Sequence, residues 1–188
     1  KKWFEYRKIF LDEIRIVDGI LFLNKNKLAF DLAEKKFGVP REIIAAIIGV
    51  ETRYGKYTGT HRVVDALATL AFDYPKRAPF FRSELSNLLY LVQEQNVDPL
   101  SLTGSYAGAM GLGQFMPSSY RNYAVDFDAD GKTDIWNNKT DAIGSVANYL
   151  AEHGWEREQP IIQKAKWLDE SKIDHKKLKT KGYEFGKE

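Results

Sequence analysis

The sequence contains no cysteine among its 188 residues, and histidine occurs only three times, at positions 61, 153 and 175. Without cysteine there is no disulfide scaffold, no cysteine-ligated zinc, no iron–sulfur cluster and no thiol catalysis. Three scattered histidines are too few for a His-rich metal site. No apolar run approaches the roughly 20 residues that a membrane-spanning helix requires. What is left is the composition of an ordinary globular domain, 44% hydrophobic and 29% charged.

A large excess of charge of one sign is also lacking. Lys and Arg number 28, Asp and Glu number 26, and the formal net charge is +2. A nucleic-acid-binding domain normally carries a strongly basic face, so we expect no nucleic-acid partner. Aromatic residues, in contrast, make up 13% of the chain. An excess of aromatic residues often lines a groove for sugars or peptides, which is a first hint of function.

Apolar residues at three- and four-residue spacing predict a mainly helical chain. No alternating pattern supports a doubly wound α/β fold, and we expect at most one short β-hairpin, near an acidic loop. The predicted domains are a core over residues 1–163, with the acidic loop at 126–141, and a Lys-rich helix or tail over 164–188. Helices are predicted over residues 4–17, 27–37, 40–53, 63–72, 80–95, 117–123 and 141–152.

Glu51 is the first candidate for catalysis, because it shares one helical face with Ile44 and Ile47. That face is predicted to be buried, which places a carboxylate at the edge of an apolar surface near a helix C-terminus. Desolvation and the negative end of the helix dipole both raise the pKa of a carboxyl group there. A carboxylic acid that stays protonated near neutral pH can act as a general acid. The alternative is a solvated glutamate paired with Arg53 or Arg62.

A glycine-rich segment from Gly104 to Tyr120 contains four glycines within its first ten residues. Glycine permits positive φ and close backbone approach, which suits the floor of a cleft. Hydroxyl, amide and aromatic groups suit a carbohydrate, whose rings have apolar faces and hydroxyl rims. Such groups belong to Ser105, Tyr106, Gln114, Phe115 and Tyr120. The alternative is a tight structural loop, and the glycine spacing does not match a phosphate-binding motif.

The segment from Asp126 to Asp134 matches the first part of an EF-hand calcium loop. Carboxylates occupy loop positions 1, 3, 5 and 9, and Gly131 permits the sharp turn at position 6. Alternating acidic side chains converge on one hard cation, to which Lys132 would add its backbone carbonyl. The sequence therefore predicts a calcium site rather than an acidic turn without a cation.

The end of this acidic loop departs from the EF-hand pattern. Position 12 is Asn137 instead of the usual bidentate Glu, so another residue must supply the closing ligand. Asp141 is available if the loop is longer than usual, and its alternative role is to cap the next helix together with Asn138. The predicted calcium ligands are Asp126, Asp128, Asp130, Lys132, Asp134 and Asp141.

Lys76, Arg77 and Arg82 form a small basic cluster around two prolines. Such a cluster could meet an anionic ligand. A solvated run of charges is the more common explanation.

Taken together, these segments resemble the membrane-bound lytic murein transglycosylase B family, which cleaves bacterial peptidoglycan. The matching pieces are residues 38–55, 104–120, 126–134 and 141–155. They follow the order of the family, and from first to last they span about two-thirds of the chain. The resemblance implies a lysozyme-like, mostly helical fold with a substrate cleft and a structural calcium ion. It also implies peptidoglycan glycan strands as the partner.

The resemblance makes Glu51 the single acid/base of a lytic transglycosylase. Such an enzyme cleaves the bond between N-acetylmuramic acid and N-acetylglucosamine without water and closes the muramoyl C6 hydroxyl on C1 as a 1,6-anhydro sugar. Ordinary glycosidases need two carboxylates, and we find no convincing second one near Glu51. The implied substrate-binding residues are Ser105, Gln114, Phe115, Tyr149, Tyr6, Lys76 and Arg77.

Two alternatives stay open: a hydrolytic muramidase on the same fold, and a non-catalytic, calcium-dependent peptidoglycan-binding module. The resemblance further implies a monomer in the periplasm, with an outer-membrane lipid anchor in an N-terminal segment outside this chain. Members of the family also continue beyond the C-terminal end of this chain, with a segment that helps to close the cleft.

Overall fold

The computed structural model describes residues 2–162, and the tail predicted over 164–188 lies outside the described residues. Eight α-helices, a single 3-10 turn and one two-stranded sheet make up this part of the chain, which confirms the mainly helical prediction. Within the same range, no helix combines the length and the apolar character needed to cross a membrane. The elements are α1 (Trp3–Arg7), α2 (Glu13–Lys25), α3 (Lys27–Phe37), α4 (Arg41–Thr52), β1 (His61–Arg62), α5 (Val63–Asp73), the 3-10 turn (Pro75–Arg77), α6 (Ala78–Glu94), β2 (Thr103–Gly104), α7 (Pro117–Tyr123) and α8 (Lys139–Glu152).

Most of the predicted helices are present, with ends that differ by no more than two residues. The helix predicted over 4–17 is wrong, because α1 ends at Arg7 and a new helix begins at Glu13. The reason is a helix cap: the Asp12 carboxylate accepts a hydrogen bond from the backbone N–H of Arg15 at 2.8 Å. An aspartate in this position starts a helix, so an apolar period that runs through it does not describe one helix.

The only sheet in residues 2–162 is antiparallel and pairs β1 with β2, His61 opposite Gly104 and Arg62 opposite Thr103. The pairing is not a hairpin, because β1 and β2 are far apart in sequence, but it lies beside the acidic loop, as predicted: the Trp136 indole N–H donates to the Thr103 carbonyl oxygen at 3.0 Å. In that loop the Asp126 carboxylate accepts hydrogen bonds from the backbone N–H groups of Asp130 and Gly131, which are then not available for a strand ladder. The sheet instead ties the chain after α4 to the start of the glycine-rich segment.

Helix α4 lies at the centre of the fold and contacts α2, α3 and α8. Its inward face carries Ile44 and Ile48, both fully buried. Burial of one such side chain is worth about 1.5–3 kcal/mol. Other fully buried side chains around it are Phe30, Val63, Leu67, Leu88, Met110, Ile135 and Ile143.

The Tyr54 ring fixes the crossing of α2 and α4. A Cβ atom at Gly19 of α2 would lie 2.5 Å from the Tyr54 hydroxyl oxygen, and one at Gly49 of α4 would lie 2.7 Å from the ring. Only glycine at these two positions leaves room for the ring between the helices. The crossing therefore sets the direction in which the last turn of α4 points, and that turn carries Glu51.

Candidate active site

An open cavity of about 290 Å³ lies where the end of α4, the glycine-rich segment and α8 meet. Of the described residues that line it, Glu51 is the only acid. The remaining lining is an amide, a hydroxyl, aromatic rings and aliphatic side chains. These residues are Ile47, Gly113, Gln114, Phe115, Met116, Ser119, Val146, Tyr149 and Leu150.

Glu51 projects into this cavity from the last turn of α4, one turn after Ile47. Its carboxyl group has no hydrogen bond or ion pair with any residue of the range 2–162. Neither arginine that could have paired with it does so: Arg53 contacts Asp18, and Arg62 contacts Asp65. Desolvation by the surrounding groups raises the pKa of the Glu51 carboxyl group above its usual value. The predicted environment of a general acid is therefore present.

The buried face of α4 differs in one respect from the predicted face. It runs through Ile44, Ile48 and Thr52, whereas Ile47 is half-buried and Glu51 is exposed to the cavity. The shift is one helical position, which turns Glu51 from the edge of the core toward the opening of the cleft. An acid in that position is desolvated by its neighbours and still reachable by a ligand.

Thr52 joins the end of α4 to the glycine-rich segment, and the sequence did not single it out. Its side chain is buried, and its hydroxyl lies 2.9 Å from the carbonyl oxygen of Leu112 and accepts the Gly55 N–H at 3.0 Å. The next two residues, Arg53 and Tyr54, have left-handed backbone with φ of 51° and 60°. Because such backbone is unfavourable for residues other than glycine, it is held by its surroundings, here directly beside Glu51. The sequence contained one signal for the buried position of Thr52, because Thr52 is spaced by helical turns from Ile44 and Ile48.

The side-chain amide of Gln114 is held through its nitrogen, which leaves its oxygen available to a ligand. Its Nε2 donates to the carbonyl oxygens of Thr58 at 3.2 Å and Gly111 at 3.0 Å. Both N–H groups of the amide are then used. Oε1 has no partner among the described residues and can accept a hydrogen bond from a ligand in the cavity.

Phe115 and Tyr149 form an aromatic wall of the cavity, with their rings edge to face at 5.7 Å. Two residues outside the predicted site pack against the Tyr149 ring. Tyr123 meets it edge to face at 5.3 Å, and His153 stacks on it at 4.0 Å. The Nδ1–H of His153 also donates to the Tyr149 carbonyl oxygen at 2.7 Å. The sequence spacing of 149 and 153, one helical turn, was the signal for this contact.

Four predicted substrate-binding residues do not line this cavity. Ser105 organises the glycine-rich segment, because its Oγ accepts hydrogen bonds from the N–H groups of Ala107 at 3.3 Å and Ala109 at 3.0 Å. Tyr6, Lys76 and Arg77 are exposed elsewhere: Tyr6 on α1, and the two basic residues in the 3-10 turn. Their roles in binding stay predictions.

Six further lining residues were not predicted to line the cavity: Ile47, Gly113, Met116, Ser119, Val146 and Leu150. Val146 and Leu150 stand three positions before and one after Tyr149 on α8. Helical spacing from a known cleft residue was therefore a usable signal for these two. Met116 and Ser119 follow from the close packing of α7, whose start is fixed by the buried Glu84 carboxylate accepting the Ser118 N–H at 2.9 Å.

The acidic loop brings three carboxylates together: oxygen atoms of Asp126, Asp128 and Asp141 lie within 4.8 Å of one another. Asp141, at the start of α8, is fully buried. One of its oxygens accepts the Phe127 N–H and the other the Asp134 N–H, each at 2.8 Å. Burial raises its pKa, the charges of Asp128 and Asp126 add to the rise, and the two hydrogen bonds oppose it. Three hard oxygen donors that repel one another fit a cation such as Ca²⁺.

The carboxylates of Asp130 and Asp134 do not belong to this group of three and accept backbone hydrogen bonds within the loop. The Asp130 carboxylate accepts the Lys132 N–H at 2.8 Å, and that of Asp134 accepts the N–H groups of Trp136 and Asn137, each at 2.9 Å. Gly131 has a φ of 91°, as the predicted sharp turn requires.

Residues 2–162 thus form a mainly helical domain, and the described part of its cleft contains a single desolvated acid, an amide and an aromatic wall. The Transglycosylase SLT domain matches residues 1–185, and the chain belongs to this family. It is 52% identical over 153 residues to the membrane-bound lytic murein transglycosylase B of Escherichia coli strain K12, a match that covers 81% of this chain and 42% of that protein.

Solved structures of lytic transglycosylases share the fold. SltB1 from Pseudomonas aeruginosa is 62% identical with a TM-score of 0.84, covering 85% of this chain and 54% of that one. Slt35 from Escherichia coli in complex with calcium is 51% identical with a TM-score of 0.81, covering 84% and 50%. SltB3 from Pseudomonas aeruginosa in complex with NAG-anhNAM-pentapeptide is 37% identical with a TM-score of 0.81, covering 85% and 42%. The chain spans about half or less of the length of these relatives, and the predicted fold class is confirmed.

Proposed function

We propose that this protein is a lytic transglycosylase that cleaves peptidoglycan with Glu51 as its only acid/base. The observation that carries the proposal is the isolation of Glu51. It has a raised pKa, no partner in residues 2–162 and no second acid among the described residues of its cavity. A glycosidase with two carboxylates would need the second one about 5–10 Å away.

Glu51 acts first as the proton donor and then as the proton acceptor. Protonated Glu51 donates to the oxygen that joins N-acetylmuramic acid to N-acetylglucosamine, and the bond from that oxygen to C1 breaks. The Glu51 carboxylate then takes the proton of the muramoyl C6 hydroxyl as its oxygen bonds to C1. The products are a 1,6-anhydro end and a free 4-hydroxyl, Glu51 is again protonated, and no water is consumed.

The remaining cavity groups suit the binding of the two sugars. Gln114 Oε1 accepts from an N-acetyl N–H or a hydroxyl, and Phe115 and Tyr149 offer apolar ring faces. The chemistry of the ligand in the SltB3 complex, an anhydro amino sugar with a peptide, supports this reading of the cavity. Ser105, Tyr6, Lys76 and Arg77 are proposed to act on more distant parts of the glycan or its peptide stem.

The product analysis tests the proposal. Purified peptidoglycan is digested with the wild-type protein, with Glu51→Gln and with Glu42→Gln, and the fragments are analysed by mass spectrometry. Glu42 is an exposed acid of the same helix that does not line the cavity, which makes it the matched control. We expect 1,6-anhydro ends from the wild type and Glu42→Gln, and no cleavage by Glu51→Gln.

Reducing-end muramic acid as the product would instead establish the hydrolytic muramidase. Equal binding of peptidoglycan by all three proteins without cleavage by any would establish the non-catalytic binding module.

We further propose that Asp126, Asp128 and Asp141 hold a structural calcium ion, with Asp130, Lys132 and Asp134 completing the loop around it. Supporting this are the three convergent oxygens and the calcium complex of Slt35. The ion would neutralise the mutual repulsion of the trio and tie the loop to α8. It takes no part in the proposed proton transfers.

We infer a periplasmic location, because the substrate lies there and a relative is named as membrane-bound. A lipid anchor would then belong to a segment N-terminal to this chain. Fractionation of cells that express the complete gene product, tagged at its C-terminus, tests this: recovery in the cytosol would contradict it.

A further inference from the structure

A second cavity lies near the first, since Thr58, which lines it, accepts a hydrogen bond from Gln114 of the first cavity. Its volume of about 750 Å³ exceeds that of the Glu51 cavity and falls within the usual range of ligand sites. It is bounded by the end of α6, the segment before β2, and residues 132–137 of the acidic loop. Nothing in the proposed cleavage uses it.

Trp136 provides a fixed aromatic platform in this cavity. Its indole N–H donates to the Thr103 carbonyl oxygen at 3.0 Å, and its ring packs against Tyr120 at 5.7 Å. The side chain is only half-buried, so part of the indole remains open to the cavity that it lines. A platform that is already immobilised loses little conformational entropy when a ligand stacks on it.

Unused amides stand in the same cavity. The side chains of Gln95 and Asn96 have no hydrogen-bond partner in the described part of the chain, and Asn96 is held in left-handed backbone with a φ of 51°. Charge does not select the ligand, since the cavity is lined by one cation, Lys132, and one anion, Asp134. An aromatic platform, free amides and balanced charge suit a neutral ring with an apolar face and polar rim.

We propose that this second cavity binds an N-acetylated hexosamine stacked on Trp136, at a site separate from the Glu51 cavity. The proposal rests on the proposed function only for the choice of this sugar. One contact joins the two cavities: Gln114 of the first donates to the carbonyl oxygen of Thr58, which lines the second. A glycan strand held at Trp136 therefore keeps its other sugars close to Glu51 and raises their effective concentration there.

The test is an NMR titration of the ¹⁵N-labelled Glu51→Gln protein with N,N′-diacetylchitobiose, which needs no catalysis. We expect saturable shifts of the Trp136 indole N–H and of the Thr103 and Asn96 amides, with the indole signal identified by its loss in Trp136→Phe. Gln95→Ala should weaken the affinity at these signals roughly threefold to tenfold, as the loss of one hydrogen bond does. Gln93→Ala is the matched control, because Gln93 is an exposed glutamine two residues before Gln95, at the end of α6, and does not line the cavity.

Shifts confined to Gln114, Phe115 and Tyr149 would overturn the second site and leave the proposed function intact. An absence of any shift would overturn it too. Saturable shifts at Trp136 would support the site even if the wild-type protein gave no anhydro product. The kinetics of peptidoglycan cleavage provide a second measurement, made with the same two substitutions in the protein that retains Glu51. Gln95→Ala should raise KM for insoluble peptidoglycan without changing kcat, and Gln93→Ala should change neither.

Discussion

Glu51 and Asp141 are both carboxyl groups whose pKa is raised first of all by desolvation, yet their surroundings differ in every other respect. Glu51 is open to a cavity and has no partner among residues 2–162. Asp141 is fully buried, each of its oxygens accepts a backbone N–H, and two further aspartates approach it. The comparison separates a carboxyl group that is free to exchange a proton from one that is bound into the fold.

The partners of an acid therefore decide its role, even when its pKa moves in the same direction. An acid without hydrogen bonds costs the folded state stability when it ionises, and it can give its proton to a ligand. An acid with two backbone donors and like charges around it stabilises the local backbone and attracts a cation. Five measurements test this contrast.

The largest expected effect is the loss of cleavage in Glu51→Gln. General acid catalysis contributes about 10²–10⁴-fold to a rate, and here one group supplies both proton transfers. We expect the rate of release of soluble fragments from peptidoglycan to fall by about 10³-fold or more, with the thermal midpoint not lowered. Activity within about tenfold of the wild type would show that Glu51 is not the acid.

The next effect is on stability, in Asp141→Asn. One carboxylate oxygen becomes an N–H group that faces a backbone donor, so a charge-assisted hydrogen bond worth about 1.5–3 kcal/mol is lost. For a domain of this size the thermal midpoint should fall by about 5–10 °C in calorimetry. Asp65→Asn, at an exposed acid outside the loop, should change it little. Equal midpoints for the two variants would contradict the structural role of Asp141.

An effect of similar size is expected from calcium itself. Binding to the native state alone stabilises it by about 2.7 kcal/mol when free calcium is 100 times Kd. The thermal midpoint should therefore be higher in calcium than in chelator for the wild type. The increase should disappear in Asp128→Asn and persist in Glu51→Gln, which tests whether the loop and the cleft are independent. A midpoint that does not respond to calcium would count against the site.

The smallest effect is the dependence of stability on pH. The folded-state pKa of Glu51 lies above its unfolded value, so its contribution is fully present below the unfolded pKa and is lost as pH rises through the folded pKa. Glu51→Gln lacks this titration. Its thermal midpoint should equal that of the wild type at low pH and exceed it slightly above the Glu51 pKa. A difference of the opposite sign would mean that the ionised Glu51 has a favourable partner.

The same pKa should appear in activity. Because the acid must be protonated in the free enzyme, kcat/KM should fall as pH rises through the Glu51 pKa, on a limb displaced upward from the usual carboxyl range. Glu42→Gln should leave the position of that limb unchanged.

Local patterns predicted much of the fold, and they failed where a single side chain overrode them. Apolar periodicity located α3 and α7 at their observed ends, because each lies between clear start and stop signals. It ran two helices together at Asp12, where one carboxylate caps the second helix. It also did not show which segments pair in the short sheet, because β1 and β2 lie some 40 residues apart in sequence and depend on the packing of α5 and α6 between them.

The sequence by itself determined the helical class, the helix that carries Glu51 and the acidic loop around Gly131, because these depend on residues within one or two turns of each other. Only the tertiary structure shows that Gln114, Phe115 and Tyr149 meet Glu51 and that Thr52 bonds to Leu112. It also decided that Trp136 stands beside Gln95 and Asn96. Each of these contacts joins distant segments, and the packing of the helices around α4 brings them together, which no local pattern encodes.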